Sequence, residues 1–432
     1  MYVLTKWLNR VVKIFSLTAI LFFTQQTIAQ NITQLTLDSA YSYARENYPL
    51  LKQKDLINRS AFLTIDNINK SFLPQVTLSG QATYQSEVTS IPISLPGFET
   101  PLLAKDQYKL LADINQLLYD GGLAKTQKEI QQVNSLVEDQ KTEVELYKLK
   151  DRINQLFLGT ILLDQQITQT GLQRKDIELG LNKVKAQVAN GTAFQSNKLV
   201  LDAEILKNDQ RMIELKANRK SLLDVMQLFI GKPLSTDALL ITPTVNEVIE
   251  ADVQRPELQL YYYQDSLLSI QDKMISVKNR PKTSVFAQGG YGRPGLNVLQ
   301  NDFNFYYIGG LKLSWSLGGL YTAKKERQIN EISQQVVNVQ KDVFLLNTST
   351  QLVQQKNEMD KLQELIAVDN KIIDVRAQVK TASNAQLENG VITANDYLRE
   401  VNAEDQARLS LIAHQLQLLQ AKINYLNILG KL

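Results

Sequence analysis

Leu118-Tyr119-Asp120-Gly121-Gly122-Leu123 has an echo in Ser316-Leu317-Gly318-Gly319-Leu320, with the paired glycines 197 residues apart. In both places an alternating, strand-like segment runs into the glycines and a long proline-free stretch follows. Other landmarks repeat in the same order. Pro49 and Pro256 are 207 residues apart, as are Pro74 and Pro281. Asn190-Gly191 and Asn389-Gly390 are 199 apart, and so are Gly231 in Phe229-Ile230-Gly231-Lys232 and Gly430 in Ile428-Leu429-Gly430-Lys431. Landmarks in constant order mark an internal duplication. The drop in offset lies in the segment between Pro74 and Gly121, where a surface loop tolerates an indel best.

The punctuation defines the elements. All ten prolines lie outside 102–232 and 295–432, and proline breaks helix interiors. Those two spans, rich in Leu, Gln, Lys, Glu and Ala, predict very long helices. Leu156, Leu163, Thr170, Ile177 and Val184 are seven apart, and Ile153, Thr160, Ile167, Arg174, Leu181 and Val188 form a companion row. This is coiled-coil spacing with polar interruptions. Each repeat therefore reads as helix, proline break, strand, loop, strand, Gly-Gly, long helix, Asn-Gly turn, long helix. In the first repeat, 30–232, strands are expected at about 75–86 and 106–118 and helices at about 122–189 and 193–230. In the second, 256–432, strands are expected at about 282–291 and 304–317 and helices at about 319–388 and 392–429. The stretch 233–255 reads as a linker.

The glycines at 121, 122, 318 and 319 let the chain leave a strand for a helix, Pro74 and Pro281 end the incoming helices, and the Asn-Gly pairs suit tight reversals. The strand segments alternate. Val76, Leu78, Ala82 and Tyr84 face one way, and Tyr307, Gly309, Leu311, Leu313 and Trp315 do likewise. Such alternation fits an outer-membrane strand and an amphipathic strand of a soluble sandwich equally well. Four strands cannot close a barrel, for which about eight are needed, so a membrane barrel would require several chains.

Composition removes most chemistry. The chain of 432 residues has no cysteine, one histidine (His414) and a formal charge of +3. Disulfides, thiolate metal sites and cysteine nucleophiles are excluded, and multi-histidine metal sites with them. No phosphate-binding or dinucleotide motif occurs, and the charge is too small to suggest nucleic-acid binding. We expect neither cofactor, metal nor catalytic residue. Lys6, Arg10 and Lys13 precede the apolar run 14–23, and Thr27 and Ala29 supply small residues at a cleavage site, so 1–29 reads as a signal peptide. Its removal takes away three positive charges and leaves the exported chain neutral. His414 and Tyr261-Tyr262-Tyr263 read as packing residues on helices.

With these landmarks in place, residues 35–432 resemble the TolC family of outer membrane efflux proteins. The resemblance rests on Leu35-Thr36-Leu37-Asp38-Ser39-Ala40 leading to Asn47-Tyr48-Pro49-Leu50, on Leu118-Tyr119-Asp120-Gly121-Gly122, and on the duplicated Gly191 and Gly390 turns. It implies a mainly α fold with membrane β: a homotrimer whose twelve strands form one outer-membrane barrel, and whose coiled-coil helices form a periplasmic tunnel. It implies a passive exit duct for small molecules, metal ions or proteins, joined by a periplasmic adaptor to an inner-membrane transporter. The family carries two acidic residues, three apart, at the periplasmic mouth. They fall here on Asp396 and Arg399, so a mixed-charge constriction is expected. By the same resemblance, the tips Asn190, Gly191 and Thr192, and Asn389, Gly390, Val391 and Ile392, are the adaptor contacts. The loops 86–106 and 292–304 would face outside. The competing reading is a structural or adhesive coiled-coil protein of the cell surface.

Overall fold

The computed structural model describes residues 32–89, 103–245 and 251–432. The expected signal segment, 1–29, lies outside them, as do part of the first hairpin loop and part of the inter-repeat stretch.

The order of elements is β1 (Ile32–Leu35), α1 (Leu37–Asn47), α2 (Leu51–Lys70), β2 (Gln75–Tyr84), β3 (Asp106–Tyr119), α3 (Leu123–Ala189), α4 (Gln195–Ile230), β4 (Leu234–Leu240), α5 (Pro256–Lys278), β5 (Lys282–Arg293), β6 (Asn304–Ser314), α6 (Leu320–Glu388) and α7 (Ala394–Leu429). α3 has 67 residues and α6 has 69, so each is ~100 Å long. The element boundaries differ from the sequence reading by a few residues, with one exception. The stretch 233–255 is not only a linker, because β4 pairs in parallel with β1. β1 and β4 were missed because they are short and their partners are far apart in sequence, which leaves no hairpin signal.

The duplicated prolines act differently. Pro49 lies in the turn that separates α1 from α2. Pro256 starts α5 at its first position, where a missing N–H costs nothing.

The residues group into two compact units that do not follow the repeats. One comprises Lys52–Glu145 and Arg255–Thr348; the other comprises the chain up to Leu51, Leu146–Gln254 and Ser349–Leu432. Each repeat contributes to both, because α3 and α6 each begin in one unit and end in the other.

The first unit holds a four-stranded antiparallel sheet in the order β2-β3-β5-β6. The β3–β5 pairing joins the two repeats, with Tyr108 opposite Arg293 and Ile114 opposite Ala287. Helices α2, α3 and α5 are tied by ion pairs. Lys54 sits 3.2 Å from Asp139 and 2.6 Å from Glu143, and Lys273 sits 2.6 Å from Glu129.

In the second unit Phe157, Ile153, Leu158 and Ile161 of α3 pack with Met226 and Ile230 of α4, with Leu37, Ala40 and Ala44 of α1, and with Leu240 of β4. Phe157 and Leu158 fall outside both heptad rows, so the buried stripe is wider than the seam read from sequence. Further along, Ile177, Leu181, Val184 and Leu201 pack against Leu387, Tyr397 and Val401. His414 Nδ1 lies 2.5 Å from Asp369 Oδ2, joining α7 to α6. In the first unit, Tyr261 packs on Phe344.

Phe157 is fully buried. Phe157→Ala should cost about 3–5 kcal/mol through lost contacts and a residual cavity. Denaturant unfolding of the purified protein, followed by circular dichroism, would measure it.

Candidate functional site

Register fixes the two faces of the sheet. Leu78 pairs with Ala112, Ala112 with Gly289 and Gly289 with Tyr307. With period-two alternation, one face carries Val76, Leu78, Ala82 and Tyr84; Tyr108, Leu110, Ala112 and Ile114; Val285, Ala287 and Tyr291; and Phe305, Tyr307, Leu311 and Leu313. The other, more polar, carries Gln75, Thr77, Ser79, Gln81 and Thr83, then Lys109, Leu111, Asp113, Asn115 and Leu117, then Ser284, Phe286 and Gln288, then Asn304, Tyr306, Ile308 and Lys312.

The apolar face is uncovered within the chain: Leu78 is 76% exposed and Leu311 75%. Its aromatics gather at the two ends. Tyr291 and Phe305 lie 4.5 Å apart, with Tyr84, Tyr108 and Tyr307 at the same loop end. Tyr119 and Trp315 mark the helix end, and Trp315 Nε1 donates to the Asn279 carbonyl at 2.9 Å. Apolar strands between two aromatic girdles are the pattern of a sheet that spans a bilayer. On the polar face, rings lie down on glycines, Tyr306 over Gly290 and Phe286 over Gly310. Both outer strands, β2 and β6, have a partner on one side only.

The two copies turn from strand to helix differently. In the first, Gly121 and Gly122 have φ of 75° and 92°, and the Asp120 carboxylate accepts from the N–H groups of Gly122 at 2.8 Å and Ala124 at 2.5 Å. This caps the start of α3. In the second, Gly318 and Gly319 stay outside the left-handed region. Gly319 is required by close approach instead, since a Cβ there would collide with the Asn279 side chain. Pro74 and Pro281 stand immediately before β2 and β5.

At the helix tips, Gly191 and Gly390 have φ of 72° and 68°. Gly191 N–H bonds the Val188 carbonyl and Thr192 N–H bonds that of Gln187; Gly390 and Val391 do the same with Leu387 and Gln386. Both long helices therefore end in the same Schellman turn. Asn389 Nδ2 also donates to Ala385. The tips are tied together: Gln187 Nε2 donates to the Leu387 carbonyl at 2.8 Å, and Lys183 sits 2.7 Å from Glu388. Val391 is 71% exposed, whereas Ile392 packs against the buried cluster around Tyr397.

Asp396 and Arg399 stand on the first turns of α7 but do not pair directly. Asp396 Oδ2 accepts from Thr393 N–H at 3.2 Å and from its hydroxyl at 2.7 Å, while Thr393 Oγ1 accepts from Asp396 N–H at 3.2 Å. That is a reciprocal capping box. The bonds from Thr393, with a smaller pull from Arg399, hold the Asp396 carboxyl below the ordinary aspartate value. Arg399 is exposed and sits 3.2 Å from Glu400. The next residue, Tyr397, is buried against Gly180 of α3 and donates to the Asp176 carbonyl at 3.0 Å; burial pushes its phenol up to about 12.

Phe194, at the start of α4 without a side-chain cap, is 82% exposed, and Leu199, Leu206 and Ile213 continue an exposed row seven apart. Sequence reading missed them, although the spacing was available as a signal. α6 bears a longer bare seam: Ile329, Ile332, Val336, Val339, Val343 and Leu346, then Leu365, Val368, Ile372, Val375 and Val379. Steps of three and four define a coiled-coil face. Among the described residues, no helix is long and apolar enough to cross a membrane, and no cluster of three or more acidic or histidine side chains could hold a metal ion.

Neither a protein-family model nor a curated protein matches the sequence. Solved structures do. CusC, described for the conformational changes that accompany folding and transmembrane channel formation, aligns with a TM-score of 0.66 at 14% identity over 94% of this chain and 95% of its own. The open-state outer membrane channel MtrE of Neisseria gonorrhoeae gives 0.65 at 13% identity, covering 91% of this chain and 88% of MtrE. The outer membrane protein VceC of Vibrio cholerae gives 0.64 at 13% identity, covering 91% of this chain and 96% of VceC. The chain thus has the fold of these outer membrane channel proteins. It is a TolC-like fold, mainly helical with a duplicated repeat and four long strands.

Thr393→Ala should cost the α7 N-terminus about 1 kcal/mol by removing half of the capping box. Faster amide exchange at residues 394–397, with the rest of α7 unchanged, is the expected readout.

Proposed function

We propose that the chain is a passive exit duct of the bacterial outer membrane, working as a homotrimer. The observation that carries this reading is the four-stranded sheet, apolar on one face, polar on the other and unpaired at both edges. Three copies would supply twelve strands, close the edges and turn the polar faces toward a common lumen. The bare seams of α6 and α4 suit helix packing between copies.

By resemblance, the duct receives cargo from a periplasmic adaptor and an inner-membrane transporter driven by ATP or the proton gradient. Thr192, Phe194 and Val391 are the exposed tip residues we assign to the adaptor contact. Asp396 and Arg399 form a mixed-charge mouth. The capping box keeps Asp396 ionised there, since its charge is lost only as pH falls through its lowered value. No bond-making chemistry is needed, and drugs, metal ions and proteins all remain candidate cargo.

Fractionation and planar-bilayer recording test the reading. The protein should partition with the outer membrane as a detergent-stable trimer and conduct ions. A soluble monomer without conductance would favour the structural coiled-coil reading. Asp396→Ala and Arg399→Ala should each change conductance or selectivity; channels unaltered by both would remove the mouth from these residues.

A further inference from the structure

The polar face of the sheet is not electrically balanced. Its charged strand residues are Lys109 on β3, Lys282 on β5, Lys312 on β6 and Asp113 on β3. Asp113 accepts a hydrogen bond from Gln288 Nε2 at 2.6 Å, across the β3–β5 pairing. The three lysines form no ion pair among the described residues. Lys282 stands opposite Ser314 and Lys312 opposite Ser284. The two are therefore diagonal neighbours on one face, ~7–8 Å apart along the backbone. Both are near the helix end of the sheet, where β5 begins and β6 finishes. Around them the face offers Ser284, Ser314 and Gly310, with Leu117 opposite Ser284; the carboxylate of Asp120, one residue past the partner of Thr283, is taken by the Gly122 and Ala124 N–H groups. Phe286 could have screened the site but lies against Gly310.

We infer that Lys282 and Lys312 make the sheet's polar face a passage that favours anionic solutes. This rests on the trimeric duct reading, in which that face lines the lumen. Three copies would then place a ring of paired lysines at the helix end of the strands, with Lys109 adding positive charge nearer the loops. Rings of basic side chains select for anions, because unpaired charges inside a low-dielectric wall raise the local concentration of counter-ions. Phe286 is laid against Gly310 and neither lysine is engaged by an acidic partner among the described residues, so the lysines are the charged groups that a passing solute meets. The chemical class indicated is a small organic or inorganic anion, or a cargo with an exposed anionic group.

The test is the reversal potential of the purified full-length channel in a planar bilayer under a KCl gradient. Wild type should favour chloride over potassium. Lys282→Gln with Lys312→Gln should bring the permeability ratio toward unity, and Lys282→Glu with Lys312→Glu should invert it. If the double variants do not assemble, the wild type alone decides: inorganic triphosphate should block more strongly than hexaamminecobalt at equal concentration. A cation-selective wild type, a ratio indifferent to both lysine substitutions, or stronger block by the cobalt complex would overturn the inference while leaving the duct intact. Absence of any conductance would overturn the duct reading itself.

Discussion

The organising constraint is the obligation of a backbone in hydrocarbon to satisfy its own hydrogen bonds. A sheet with an apolar face can lie against lipid only if no strand edge is left open, and this chain has two open edges. Four strands of 10 to 14 residues are long enough to cross a bilayer and too few to close on themselves. The duplication goes only halfway, since it doubles one hairpin into a four-stranded sheet through the β3–β5 pairing. In the proposed duct, further copies of the chain do the rest.

The helical part poses the same problem in another form. Isolated long helices are held mainly by packing of an apolar stripe. α3 finds much of its packing inside the chain, through Phe157, Ile153, Ile177 and Val184, whereas α6 leaves a whole heptad seam bare. Open strand edges and a bare coiled-coil seam both call for a neighbouring chain. The tip turns are by contrast self-sufficient. Their Schellman bonds close the ends of both long helices and the Thr393–Asp396 capping box closes the start of α7, so Val391 can remain uncovered; α4 starts at the exposed Phe194 without a side-chain cap.

Much of this was legible in the sequence because it rests on local chemistry. Pro74, Pro281, Gly191 and Gly390 punctuate the chain wherever they occur, and their repeated order gave the architecture before any contact was known. What the sequence hid was non-local. β1 and β4 are short and pair across some two hundred residues. Gly319 resembles Gly121 as a letter, yet one avoids the Asn279 side chain and the other adopts a left-handed turn. The family resemblance suggested a mixed-charge constriction at Asp396 and Arg399, but nothing in it indicated that the Asp396 carboxylate is engaged with Thr393. Similarly, the three lysines fall on one face only once the register of three strand pairs is known.

The central claim is that the free edges of β2 and β6 meet between copies of the chain. The chain has no native cysteine, so single cysteines scanned along β2 from Thr77 to Thr83 can be combined with one at Gly309 on β6. Mild oxidation in outer-membrane preparations should, at one register, link three chains into a closed covalent ring and stop there. No intermolecular disulfide at any register, or an open-ended ladder of higher oligomers, would contradict the account.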